Sequence, residues 1–521
     1  NQSAADFGLA VAGAGDVNGD GYSDVIVGAE DYDNGNTDEG MIFIYHGSAA
    51  GINNVAVTMA ESNEDLSQFG YAVASAGDVN GDGYSDVIVG AYLFDNGVVN
   101  GGGAFIYHGS ATGVVNSIAA TLQCNQLGAL FGISVSGAGD INGDGYSDVI
   151  AGATLYDNVQ TSEGAAFVFF GSAAGINTTA TVLESNQANA QMGRSVASAG
   201  DVNGDGYSDV IAGANAYNNG QTGEGGAFVY HGSASGISTT AASLLEYNQA
   251  SAGMGRSVAC AGDVNGDGYS DVIVGAHLYD GGQGNEGAIF IYHGSASGLS
   301  ASYNAIAESN NTNANLGYCV SSAGDVNADG YSDVIAGAIQ YSNGNLGEGA
   351  FFVYHGSASG ISTTPAAIVE GNQTSAVMGI SVASAGDVNG DGYSDVIAGA
   401  RDYFNGELDE GRAYVYHGSA TGINTTANSI IENNQASAFL GFSVCSAGDV
   451  NGDGFSDVAV GAVNHDNGEL NEGAVFIYHG SAAGINITAA AMLENNLASA
   501  GFGFAVSCAG DVNGDGYSDL L

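Results

Sequence analysis

The stretch Asp16–Asp24 reads DVNGDGYSD, and its reading decides how the rest of the chain is understood. The pattern D-x-N-x-D-G-x-x-D occurs nine times, starting at Asp16, Asp78, Asp140, Asp201, Asp263, Asp325, Asp387, Asp449 and Asp511. Successive copies lie 62 residues apart, with a single step of 61. A fixed period of this length marks an architecture built from one recurring supersecondary unit. That unit accounts for the whole 521-residue chain, and each copy brings its own candidate cation loop.

Within the first loop, Asp16, Asn18 and Asp20 hold positions one, three and five, so three oxygen-bearing side chains can converge from one side of a tight turn. Gly21 at position six permits the left-handed backbone that such a turn requires. The carbonyl of Tyr22 and the carboxylate of Asp24 would complete a shell of hard oxygens, as calcium prefers. The same roles fall to Asp78, Asn80, Asp82, Tyr84 and Asp86, and to Asp140, Asn142, Asp144, Tyr146 and Asp148. In the fourth and fifth units they fall to Asp201, Asn203, Asp205, Tyr207 and Asp209, then Asp263, Asn265, Asp267, Tyr269 and Asp271. Next come Asp325, Asn327, Asp329, Tyr331 and Asp333, followed by Asp387, Asn389, Asp391, Tyr393 and Asp395. The last two sets are Asp449, Asn451, Asp453, Phe455 and Asp457, then Asp511, Asn513, Asp515, Tyr517 and Asp519. An EF-hand shares the first six positions but closes with a bidentate Glu at position twelve. Here that place is Val27, inside the apolar run DVIVGA, so an EF-hand is excluded and position nine is left to close the shell. Turn chemistry explains Asp, Asn and Gly, but not three carboxylates crowded together without a cation. Ala328 for the position-four glycine, Ile141 for Val and Phe455 for Tyr remove no ligand if position seven binds through its backbone.

Composition agrees. The formal charge is −52, with 56 acidic residues against four Arg and no Lys. Three Asp in each of nine loops supply 27 of those acids, and nine calcium ions would add 18 positive charges, bringing −52 to −34. Such a surface repels nucleic acid and anionic membrane, so neither is expected as a partner. Apolar residues make up 45%, enough for a large core, while 87 Gly and one Pro signal many tight turns. Glycine or polar residues interrupt every apolar run, so no stretch reads as a membrane span. The chain opens with NQSAADFG, which matches NQANAQMG at Asn186–Gly193, and ends at GYSDLL within a ninth unit. It is expected to be a segment of something longer. Cys260, Cys319, Cys445 and Cys508 take small-residue positions before a loop, and Cys124 stands apart; all read as buried filler.

Each unit reads as four strands. In the third, FGISVSGAG (Phe131–Gly139) and DVIAGA (Asp148–Ala153) flank the loop, followed by GAAFVFFGS at Gly164–Ser172 and NTTATVLES at Asn177–Ser185. These are β-branched and aromatic runs bounded by Gly, Asn, Asp and Ser, and none has sustained helical periodicity. Four antiparallel strands repeated radially make a propeller blade; an open solenoid is the competing architecture.

Phe7-Gly8 opens the first unit and Gly28-Ala29 closes its second strand, with the loop between them. The pair returns as Phe69-Gly70, Phe131-Gly132, Met192-Gly193, Met254-Gly255, Leu316-Gly317, Met378-Gly379, Leu440-Gly441 and Phe502-Gly503, although the proline of "GAP" is absent. The chain thus resembles the FG-GAP repeat of the integrin α-subunit β-propeller, of the kind also found in bacterial surface and secreted proteins. The resemblance implies an all-β propeller of four-stranded blades with about one calcium ion per repeat. Eight blades are expected over residues 1–501, with units starting near 7, 69, 131, 192, 254, 316, 378 and 440. Residues 502–521 are expected to hold the first two strands of a ninth, truncated unit. Seven blades are the alternative.

The loops joining strands one and two should share a face with the SASG turns between strands three and four. The opposite face gathers the variable loops, such as EDYDNGNTDEG and RDYFNGELDEG, and variable loops on a constant scaffold are where binding is sited. In integrins that face binds ligands with help from partner domains, but no inserted domain and no Arg-Gly-Asp is visible here. His46, His108, His231, His293, His355, His417 and His479 recur in YHGS on separate blades, with Phe170 in one copy, and read as structural. Glu39, Glu163, Glu224, Glu286, Glu348, Glu410 and Glu472 read as loop structure, and Tyr32, Phe94, Tyr156, Tyr217, Tyr279, Tyr341 and Tyr403 recur in the variable loops. No unique catalytic constellation stands out among near-equivalent units, so an enzyme is not expected. The expected function is an extracellular or cell-surface calcium-binding scaffold, structural or adhesive, serving as coat, stalk or filament. Its partners would be a protein or glycan ligand or further copies of itself, with no direct membrane insertion. The alternatives are a discrete propeller that recognises a ligand through its variable loops, and an accessory domain of a larger secreted hydrolase.

Overall fold

The computed structural model describes residues 7–20, 24–30, 32, 36–46, 58–95, 97–449, 451, 453–467, 472–493, 508–510 and 519–520. They form eight four-stranded sheets, and in each the spatial order follows chain order with every neighbouring pair antiparallel. In the third, the first two strands are Phe131–Gly139 and Asp148–Ala153, with the bounds read from the sequence. The third and fourth are shorter than expected, at Ala165–Phe169 and Thr181–Glu184. The flanking residues are drawn away from the ladder: Gly171 N–H donates to Asp148 at 2.8 Å and Ser172 N–H to the Val79 carbonyl at 2.9 Å.

From blade one to blade eight each first strand lies against the first strand of the next blade, so these strands line the axis. The second and third strands are buried along their length, which is why they read as unbroken apolar runs such as DVIAGA. Their two faces pack into cores shared with the neighbouring blades. Between blades one and two, Ile26, Ile42 and Ile44 meet Phe69, Val87, Val89 and Phe105. An equivalent core joins blade eight to blade one, where Ala459, Val475, Ile477 and Leu493 meet Val27, Ala29, Phe43 and Tyr45. The ring is closed, as a β-propeller of eight blades. An open solenoid would have left those two faces bare. Cys508–Gly510 and Asp519–Leu520 add a two-stranded sheet beside the first strands of blades eight and one.

The paired glycines of the repeat meet across the blade interface. A methyl placed on Gly337, at the end of a second strand in blade six, would overlap the carbonyl of Gly379, which opens blade seven at φ +83°. The same pairing joins Gly90 to Gly132, Gly213 to Gly255 and Gly275 to Gly317. Backbone packs directly on backbone there, and only glycine fits. The residue before the second glycine fills the adjacent core: Phe69, Phe131, Met192, Leu316 and Leu440 are all fully buried. Aromatic, Met and Leu are interchangeable because the site asks only for apolar volume.

Candidate metal centre

In blade two the loop Asp78–Asp86 folds around its first residue. Asp78 Oδ1 accepts N–H from Gly81 at 2.6 Å and Asp82 at 3.2 Å, and Oδ2 accepts from Gly83 at 2.9 Å. Asn80 Oδ1 accepts the Asp82 N–H at 2.8 Å, and its amide donates to Asp82 Oδ2 at 3.0 Å. Asp82 Oδ1 takes the Tyr84 N–H at 3.0 Å. Gly83 sits at φ +89°, the left-handed turn expected at position six. The side chains at positions one, three and five are therefore gathered in one turn, and the pattern returns in blades three to seven.

Position nine is placed differently. Asp86 is fully buried, and its carboxylate accepts N–H from Val79 at 2.9 Å and from Gly109 at 2.8 Å, tying the loop to the end of the third strand. Burial raises the carboxyl of Asp86, Asp148, Asp209, Asp271, Asp333 and Asp395 to about 7. The two N–H bonds pull it down, and the other loop carboxylates push it up further. Position seven contributes its side chain to the neighbouring blade: a methyl on Gly143 would lie 2.5 Å from Cε1 of Tyr207. Ser147 N–H donates to the Asp78 carbonyl at 3.0 Å, and Ser172 N–H to the Val79 carbonyl. Blade by blade, the loops are thus chained into a belt on one face, with the Ser-x-x-Gly turns beside them as expected.

The recurring histidines belong to this belt. The rings of His231, His293 and His355 abut Gly298, Gly360 and Gly422 of the following blade, and their Nε2 atoms make no hydrogen bond. Burial pulls these rings below the ordinary histidine range, with the loop aspartates opposing. They pack as neutral wedges. The recurrence of Tyr-Ser in the loop, with Phe455-Ser456 in the eighth copy, and of Gly-Ser after the third strand was the sequence signal for this coupling.

The donor chemistry of the loops fits a hard divalent cation: carboxylate, amide and carbonyl oxygens alone, with acids crowded around a buried carboxylate. The side chains also satisfy one another by hydrogen bonds, and among the described residues no group of three or more His, Cys, Asp or Glu is arranged to hold a metal ion. Tyr22, Asp511, Asn513, Asp515 and Tyr517 lie outside the described residues, as does the side chain of Asp519.

On the opposite face, Glu163, Glu224 and Glu348 are buried and accept N–H groups from their own loops, as the structural reading expected. Tyr32, Phe94, Tyr156 and Tyr217 stand edge-on to the third-strand aromatics Phe43, Phe105, Phe167 and Phe228, so they pack the loops. Sequence reading missed the clasp between blades: Gln249 Oε1 accepts the Asp280 N–H at 2.6 Å while its amide donates to the Asp280 carbonyl. Cys124, Cys260 and Cys319 are half-buried free thiols, and Cys445 is buried. Among the described residues no helix is long and apolar enough to cross a membrane.

The FG-GAP repeat family matches residues 7–45, 69–107, 131–169, 192–230, 255–292, 378–416 and 440–478. The sixth unit, which carries Ala328, is not among these stretches. Integrin alpha-6 of Homo sapiens is 38% identical over 157 residues, covering 30% of this chain and 13% of that protein. Integrin alpha-4 of Xenopus laevis is 36% identical over 156 residues, or 29% and 15% of the two chains. Integrin alpha-3 of Cricetulus griseus is 32% identical over 211 residues, or 40% and 19%. The matched stretches span less than a fifth of these relatives. Paired glycines at seven blade interfaces, the repeated loops and the seven matched stretches lead to one conclusion: the chain belongs to the FG-GAP repeat family, as an integrin-like β-propeller protein.

Proposed function

We propose that this chain is a non-enzymatic, extracellular calcium-bound propeller that acts as an adhesion-type scaffold, with the loops from Asp16, Asp78, Asp140, Asp201, Asp263, Asp325, Asp387, Asp449 and Asp511 each holding about one ion. The observation that carries this is the belt: the loops gather their oxygens on one face and are bonded to one another across the blades. A cation in each loop would offset the crowded carboxylates and tighten the ring. Residues 502–521 would begin a ninth unit.

The closed ring favours a discrete propeller over an elongated stalk or filament. The face opposite the belt is the one we assign to a protein or glycan partner. Val99, Val159, Leu346, Phe404 and Leu408 in its second-to-third-strand loops, with Leu66 and Leu127 between units, are exposed apolar residues differing from blade to blade. Such residues on loops held by a rigid scaffold suit recognition. Thermal unfolding with excess calcium and with chelator, paired with a bound-metal count, tests the calcium reading. A large drop on chelation with eight or nine ions per chain is expected, since ions that bind the native state add stability by mass action. An unchanged melt with no bound metal would reduce the loops to turns.

A further inference from the structure

Blade five departs from its sisters at one position in the loop between its second and third strands. The other seven blades carry Asn there, as at Asn158, Asn343 and Asn405, whereas blade five carries Gly281. In blades three, six and seven that Asn amide donates to the Glu at or just after the end of the fourth strand, at 3.1 Å to Glu184, 2.7 Å to Glu370 and 3.1 Å to Glu432. Gly281 has no side-chain amide to give. Two carboxylates converge on the space instead: a carbon on Gly281 would lie 2.7 Å from Glu308 Oε2 and 2.8 Å from Glu286 Oε1. Glu286 is fully buried; its Oε1 accepts N–H from Gly281, and its Oε2 makes no hydrogen bond. Glu308 Oε1 accepts the Tyr279 hydroxyl at 3.0 Å. Two anions facing each other with a buried oxygen unpaired are costly unless a cation lies between them.

Two sister blades show what the niche requires. In blade seven Arg412 stands where blade five has Ala288; its guanidinium pairs with Glu432, lies 4.1 Å over the Tyr403 ring and offsets part of the rise that burial and Glu432 impose on the neighbouring Glu410 carboxyl. That blade supplies the positive charge from its own chain. Blade two has Gly101 and Gln123 at the places of the two glutamates, so both carboxylates are lost together.

We propose that the niche at Gly281 binds one divalent hard cation of the calcium class through Glu286 and Glu308, as a site separate from the Asp-Asn-Asp loops. Gly281 is exposed, which leaves the niche open to solvent. With two carboxylates only, the affinity belongs at the weak end of calcium sites, with a dissociation constant of about 10⁻⁴–10⁻³ M.

The test is a bound-calcium count by equilibrium dialysis at millimolar calcium on the full chain and three variants. Gly281→Asn copies the sister blades, Ala288→Arg copies blade seven, and Glu308→Gln removes one ligand. Each is expected to hold one ion fewer than the parent while keeping its far-ultraviolet spectrum. Ala288→Arg should also melt above the parent in chelator, because its guanidinium relieves the carboxylate pair. A parent count equal to that of every folded variant would overturn the proposal. The double variant Asp263→Asn/Asp267→Asn separates the two kinds of site: it should lower the loop count and leave the Gly281-dependent ion in place.

Discussion

Position four of the loop allows the same exchange to be made in opposite directions in adjacent blades. Ala328 sits at φ +54° in blade six, a left-handed conformation that its sister glycines adopt freely, as Gly266 does at φ +72° in blade five. An L-residue in that region costs roughly 1–2 kcal/mol. Introducing glycine returns about 0.4–1 kcal/mol to the unfolded chain as entropy. Ala328→Gly should therefore raise stability by about 0.5–1 kcal/mol. Gly266→Ala reverses both effects and adds a collision, because the new Cβ would lie 2.6 Å from Cε1 of Tyr331 in the next blade. Displacing that packed ring brings the expected loss to about 2–4 kcal/mol. Urea unfolding followed by circular dichroism, with calcium held constant, reads both variants against the parent. Ala328→Gly falling at or below the parent midpoint would refute the reasoning, since no loop oxygen is removed. Gly266→Ala matching the parent would show that the position-seven ring does not clamp the preceding loop.

Three further outcomes are expected. Gly337→Ala pushes a Cβ into the carbonyl of Gly379, where neither backbone can yield, so a loss of about 3 kcal/mol is expected in equilibrium unfolding; a loss no larger than that of an exposed strand Gly→Ala would contradict the glycine-on-glycine interface. Gln249→Ala removes both bonds of the clasp to Asp280 and should cost about 1–2 kcal/mol, and an effect inside the roughly 0.5 kcal/mol scatter of surface substitutions would make the clasp incidental. Arg412→Met strips the only paired cation beside Glu410 and Glu432 among the described residues, so chelated protein should lose about 2 kcal/mol. Millimolar calcium should recover part of that loss, and a melt that ignores calcium would count against a shared carboxylate niche.

The 62-residue period, the four runs per unit and the loop chemistry were legible in the sequence because each is local: a hairpin loop and its flanking strands lie within about thirty residues of one another. The exclusion of an EF-hand followed in the same way from Val27. What the chain does across its blades was not legible. Gly28 meets Gly70, Tyr207 covers Gly143 and Ser147 bonds Asp78, pairs separated by 42 to 69 residues and joined only when the ring forms. Blade number was likewise decided by tertiary packing, because each repeat carries the same interface and only the fit of blade eight against blade one closes the circle. The asymmetry at Gly281 was visible as one odd letter in a variable loop, but its meaning came from Glu286 and Glu308, which the fold brings to the same point from that loop and from the fourth strand. The sequence by itself determined the unit and its oxygen-rich turn, since backbone conformation and ligand type are set within a few residues. The ring, the belt and the unmatched charges were decided by the tertiary structure, since close packing between copies is a property of geometry that no single copy contains.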